Sequence, residues 1–189
     1  DGEPQLIQYT TGAFDNHHPI LHTLLMGGCY DLGRFLQERW GIGPDGMAFY
    51  AAIQMLVLSF SFACGISFLY HCRLKRGLLI AAICWFALFP VHPLMAVTTT
   101  KDTLFAAFFL LAFLGAARAV LRGGIATFVE GAKLFFCALG MMLFRKNGVY
   151  LTAGLCAVLL PVWAVLRLKK RSESRFFFGL FLGSALCVL

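Results

Sequence analysis

Hydrophobic and polar positions divide the chain into a polar opening, one amphipathic stretch and a series of long apolar runs. Residues 1–16 are polar and carry Asp1, Glu3, Gln5, Gln8, Asp15 and Asn16. From 19 to 39 the pattern is helical. Leu21, Leu24, Leu25, Gly28, Leu32, Phe35 and Leu36 recur at spacings of three and four on one face, with His22, Asp31, Arg34 and Glu38 off it. A stretch so amphipathic and so charged is expected to lie in the membrane interface as a helix, not to cross the bilayer. The run Gly41-Ile-Gly-Pro-Asp-Gly46 ends it.

The apolar runs predict transmembrane helices. The first covers 47–70 without a charge and ends at His71-Cys-Arg-Leu-Lys-Arg76, and its Gln54 is placed to bond a neighbouring helix. The second covers 78–97, where Pro90 and His92-Pro93 predict a kink near one end. The polar turn Thr98-Thr-Thr-Lys-Asp102 leads into a third span at 103–121. A fourth, 125–144, contains Glu130 and Lys133 three residues apart, the spacing of a local ion pair, and is closed by Arg145-Lys-Asn-Gly148. A fifth covers 149–166, and Phe176–Leu189 begins a sixth that the sequence cuts short. The expected fold is an all-α membrane protein, a multi-pass bundle with five complete spans and the start of a sixth over 47–189, preceded by an outer loop with the interfacial helix over 1–46. The chain lacks an initiator Met and stops inside an apolar run, which reads as a piece of a longer protein.

Composition agrees with lipid as the solvent. Of 189 residues 60% are hydrophobic and 13% charged, with a mean hydropathy of +0.79, whereas soluble domains carry about 25% charged residues. The formal charge of +7 is distributed by side. If spans alternate, the segments 71–77, 118–124 and 167–175 share one side and hold ten of the sixteen Lys and Arg. The other side holds seven of the nine acids: Asp1, Glu3, Asp15, Asp31, Glu38, Asp45 and Asp102. The positive-inside rule assigns the basic side to the cytoplasm. It also removes a nucleic-acid partner, since no basic face interleaved with aromatics is left outside the membrane. The seven cysteines form no CxxC pair and read as small hydrophobes.

Three polar clusters then share the outer surface: 1–22, Thr98–Asp102 and Arg145–Asn147. Groups of this kind beside lipid mark functional positions by default, the alternative being plain helix-end residues in the headgroups. In Asp15-Asn-His-His-Pro19 the residues before Pro19 suit a helix N-terminus. His18 and His22 have the spacing of a metal pair, but no third ligand accompanies them, so a zinc site is not indicated.

Taken in order, Asp1-Gly-x-x-Gln5, Asn16-His-His-Pro-x-x-His-Thr23, Thr100-Lys-Asp-x-Leu-Phe105 and Arg145-Lys-Asn-Gly148 resemble a bacterial family of multi-pass proteins in the GT-C superfamily of membrane glycosyltransferases, over nearly the whole chain. The resemblance implies a GT-C-like fold and a cell-membrane enzyme that moves a sugar from a polyprenyl-phosphate carrier to a glycan, lipid or protein acceptor on the extracytoplasmic face. It implies an acidic residue in the first outer loop that activates the acceptor. Asp1 is the position that looks like it, with Asp15 the alternative.

Sugar transfer from such a donor calls for these residue types on chemical grounds too. A carboxylate takes the acceptor proton while oxocarbenium character builds, and a cation stabilises the departing phosphate. Lys101 and Arg145 are the outward cations at span ends, with His17, His18, Asp102 and Asn147 as further donor-binding candidates. No Asp-x-Asp pair indicates a divalent cation, although one is compatible with Asp102. The rival reading is a transporter or flippase of lipid-linked glycans, and a third is a membrane subunit without chemistry. No internal repeat supports a transporter, and the charges gather at span ends.

Overall fold

In a computed structural model of the chain, the residues described are 2–14, 19–41, 46–122, 127–154 and 157. Among them every regular element is an α-helix: α1 (Gly2–Thr11), α2 (Ile20–Trp40), α3 (Gly46–His71), α4 (Arg76–Leu88), α5 (Val91–Val97), α6 (Lys101–Arg122) and α7 (Phe128–Phe144), followed by a helical stretch at 147–154. Two compact units divide them, Asp1–Ala107 and Phe108–Leu189.

The apolar runs that are described are helical. Helix α3 has 26 residues and at about 1.5 Å per residue is about 39 Å long, more than the roughly 30 Å of a hydrocarbon core. It and Lys101–Ala119 of α6 are long and apolar enough to cross a membrane. Only 17% and 28% of their spanning windows are buried within the protein, so most of that apolar surface is left for lipid. The predicted second span is two helices, α4 and α5, bent by 42° at a break next to Pro90. Proline has no N–H to continue the ladder, so the helix stops at Leu88 and restarts at Val91. Counting that pair as one gives three candidate spans. Helix α7, with 17 residues, stands at the short end of the spanning range. It starts at Phe128 because Thr127 caps it, accepting from the Glu130 amide at 3.3 Å. Of the predicted fifth span only 149–154 and 157 are described, and the sixth lies outside the described residues.

In the first unit the helices approach through small residues. Gly46 opens α3 against the backbone of α2, where a Cβ would meet Tyr30 Cα at 2.4 Å. Gly27 admits the Tyr9 ring of α1. Leu58, Ala96 and Ala107 form a buried apolar cluster with Val57 and Phe62 beside it. Helix α2 ends at Gly41, whose φ of 63° allows its N–H to reach the Gln37 carbonyl. Its protein-facing side is His22, Thr23, Met26, Gly27, Cys29 and Gly33, while Leu21, Leu24, Leu32 and Phe35 are exposed. That is the reverse of a soluble amphipathic helix.

In the second unit, Gly115 of α6 faces Leu134 of α7, and Gly140 faces Phe108, which stacks on Phe144 at 5.6 Å. Close helix contact through glycine is how apolar helices pack when lipid is as apolar as the core.

Candidate functional site

The sequence motifs at the start of α1, at the start of α2 and at the start of α6 meet in the first unit. Gly2 lies against Thr99, and a Cβ on it would stand 2.4 Å from the Thr99 Oγ1. Thr99 is two residues before Lys101, so the first residues of α1 adjoin the turn that opens α6. That turn is held from three directions. Gln54 of α3 donates from Nε2 to the Thr98 carbonyl at 2.7 Å. The Thr100 amide donates to the same oxygen at 2.8 Å. Thr103 Oγ1 donates to the Met95 carbonyl at 2.7 Å, tying the first turn of α6 to α5.

Below this turn runs a buried chain of polar side chains: Gln5 from α1, His22 from α2 and Tyr50 from α3, each fully buried. His22 Nδ1 pairs with Gln5 Oε1, and Tyr50 Oη stands 2.5 Å from His22 Nε2. A carbonyl oxygen only accepts, so Nδ1 carries the proton. Nε2 of the neutral ring then accepts from the Tyr50 hydroxyl. The two rings meet edge-on, 5.4 Å apart and 86° between planes. Three helices are thus joined by groups that apolar surroundings make costly to leave unpaired.

Both ring nitrogens of His22 pair with protein groups, and His18 lies outside the described residues. Among the described residues no three His, Cys, Asp or Glu side chains are grouped as metal ligands would be. Nearby Cys29 is buried, and burial pushes its thiol up, towards the inert protonated form. On the outer flank Tyr9 of α1 donates to Asp31 Oδ2 of α2 at 2.6 Å, and that bond raises the phenol above its ordinary value.

The predicted site residues fall as follows. Asp1, Asp15, His17 and His18 lie outside the described residues. Lys101 is the first residue of α6, half-buried, and Asp102 sits in its first turn, where a carboxylate suits the positive end of the helix dipole. Arg145 is the extended residue that ends α7, and Asn147 is exposed at the start of 147–154. Gly148 explains the glycine of that motif: a Cβ would stand 2.5 Å from the Met141 carbonyl oxygen, so the chain folds back tightly on α7. Arg145 and Asn147 belong to the second unit, Lys101 and Asp102 to the first.

Sequence reasoning missed the role of Gln5, His22 and Tyr50 as a unit. Gln5 and His22 stood inside the quoted motifs, but their 17-residue separation corresponds to no local spacing. The bond expected from Gln54 to a neighbouring helix goes instead to the Thr98 carbonyl, in the turn just past α5.

A family model described as a family of unknown function (DUF6020) matches residues 6–169. No curated protein and no solved structure matches the chain.

Proposed function

The chain belongs to this family of unknown function, and we propose that it is a multi-pass membrane glycosyltransferase, taking a sugar from a polyprenyl-phosphate carrier at the extracytoplasmic face. The observation that carries the reading is Gly2 against Thr99. Two motifs ninety-seven residues apart, one following Asp1 in the chain and one holding Lys101, share one end of the first unit. An acid and a phosphate-binding cation at one end of a helix cluster are what such a transfer requires.

In this reading the carboxylate of Asp1, or of Asp15, takes the proton of an acceptor hydroxyl as its oxygen bonds to the anomeric carbon. The carbon–oxygen bond to the carrier phosphate breaks and its electron pair leaves with the phosphate. Lys101 stabilises that anion. His17, His18 and Asp102 shape the donor site, and Arg145 and Asn147 enter on the resemblance alone. The basic segments face the cytoplasm. Helix α2 lies in the interface on Leu21, Leu24, Leu32 and Phe35, whose exposure supports that placement.

The test is transfer by the full-length protein in lipid vesicles supplied with polyprenyl-phosphate sugars. Lys101→Ala should weaken donor use roughly ten- to a hundredfold, as expected for a lost charge-assisted contact worth about 1.5–3 kcal/mol. Asp1→Asn, or Asp15→Asn if that is the base, should lower turnover by about 10²–10⁴ with donor binding retained. Carrier movement across the bilayer without transfer would replace this reading with the transporter.

A further inference from the structure

We propose that His22 is a positioning residue whose Nδ1–H tautomer, selected by the Gln5 carbonyl and completed by the Tyr50 hydroxyl, sets the register of α1 and so keeps Gly2 against Thr99. The catalytic consequence rests on the proposed transferase reading. The register itself rests only on the contacts.

The argument starts from an asymmetry in the imidazole. In water a neutral histidine is free to choose either nitrogen for its proton, and His22 is not in water: it is fully buried between α1, α2 and α3. Gln5 Oε1 faces Nδ1 and can only accept. Tyr50 can accept or donate, and it becomes the donor to Nε2 once Nδ1 holds the proton. The protonation of one nitrogen is thus fixed by what the other receives, the way an orienting partner fixes a histidine elsewhere. Removing the tyrosine donor leaves the buried Nε2 without a partner, which weakens the chain that holds Gln5.

The contact has leverage on α1 because of where Gln5 lies. Gln5 is the one fully buried side chain among the described residues of this ten-residue helix. It stands three residues, nearly one turn, from Gly2 on the same face. A shift of α1 by one residue would turn Gln5 out of its pocket and replace Gly2 by Asp1 or Glu3 at a place where even a Cβ is excluded. His22 and the Thr99 contact therefore select the same register from two points on one helix face. That accounts for why Gln5 and His22, both fully buried, fall inside the two motifs that hold or adjoin the proposed acid.

The experiment uses cysteine cross-linking in the full-length protein in membranes, with the seven native cysteines replaced. In Gly2→Cys with Thr99→Cys, the β-carbons would start 3.1 Å apart, just under the roughly 3.5–4.5 Å of a disulfide, so the cysteine at 99 must turn its sulfur away from the former hydroxyl direction and α1 give by a few tenths of an ångström for the bond to close. Cross-linking under mild oxidation should be rapid with His22 present. His22→Leu and His22→Gln should slow it at least tenfold. His22→Asn, which returns an N–H donor to the position of Nδ1, should restore it to within about threefold. Tyr50→Phe should slow it by an intermediate factor. Nitrogen NMR of labelled His22 in the unmodified protein supplies a readout independent of any variant's folding: Nδ1 protonated and Nε2 bare. The opposite tautomer, or equal cross-linking in His22→Leu and His22→Asn, overturns the proposal. If cross-linking behaves as expected while no polyprenyl-phosphate sugar is used, the transferase reading fails and the positioning role stands.

Discussion

The Gln54 side-chain amide donates to the Thr98 carbonyl across 2.7 Å, so a residue two turns into α3 holds the turn that opens α6. The same carbonyl already accepts from the Thr100 amide at 2.8 Å. Gln54 Oε1, by contrast, is buried with no hydrogen-bond partner among the described residues. One half of the amide therefore supports the turn and the other half carries a desolvation cost.

Gln54→Leu is accordingly expected to change stability by less than about 0.5 kcal/mol. The lost bond, worth about 0.6 kcal/mol within a membrane, is offset by removal of the unpaired oxygen. Gln54→Ala loses the same bond and opens a void beside Tyr50 and Leu58, and should cost about 2 kcal/mol more than the leucine variant. Denaturation of the purified protein in detergent compares the two. A leucine variant as weak as the alanine one would show that the hydrogen bond carries the site.

Adjacent glycines of α2 should respond in opposite directions. A Cβ at Gly27 would stand 2.2 Å from the Tyr9 ring, whereas one at Gly28 would meet nothing within 4 Å. Gly27→Ala must push the ring aside, at about 1–3 kcal/mol. Gly28→Ala gains helix propensity without a clash and should stabilise by about 0.5–1 kcal/mol. Thermal unfolding of the pair checks the α1–α2 contact directly, and equal effects would mean that α1 does not pack there.

The Tyr9–Asp31 bond gives that same contact a dependence on pH. Hydrogen bonding to the Asp31 carboxylate raises the Tyr9 phenol above its ordinary value near 10 in the folded state. A group raised by folding contributes stability that is fully present below its unfolded value and disappears as pH climbs through the folded one. Wild type should therefore exceed Tyr9→Phe in stability at neutral pH, and the gap should close above about pH 10. Denaturant titrations of both proteins across that range test it. A gap that persists in strong alkali would assign the effect to ring packing.

Much of the helical layout was legible because lipid leaves few options. The uncharged run 47–70 had to be a helix and folds as Gly46–His71. Pro90 had to interrupt the next run, and Gly41 had to stop α2. What the pattern left open was which side of α2 meets protein. In water the leucine stripe would be the buried one. In the structure the leucines are exposed and the protein takes the face with His22, Gly27 and Gly33, as expected if, in the proposed interfacial placement, lipid covers the leucines. The buried Gln5–His22–Tyr50 chain was hidden for a related reason. Its members stand 17 and 28 residues apart, and only the packing of three helices brings them together.

The turn between α3 and α4 holds an arginine where glycine fits best. Arg73 has a φ of 55°, with its amide donating to the Tyr70 carbonyl at 3.0 Å and the Leu74 amide reaching the Leu69 carbonyl at 3.3 Å. This is a Schellman ending with Arg73 as its left-handed residue. A side chain there costs roughly 1–2 kcal/mol, and the arginine is exposed. Under the proposed topology its charge, with those of Lys75 and Arg76, counts toward the positive-inside signal. Arg73→Gly should therefore stabilise the folded protein by about 1 kcal/mol, whereas Arg73→Ala keeps the strain and should not. Both should insert with Lys101 outside, because two cations remain in the turn. Replacing Arg73, Lys75 and Arg76 together should make a fraction of the chains insert with Lys101→Cys closed to an impermeant thiol reagent. Arg73→Gly that is less stable than wild type would show that the arginine side chain supports the turn, and unchanged labelling of the triple variant would move the topological signal to other basic segments.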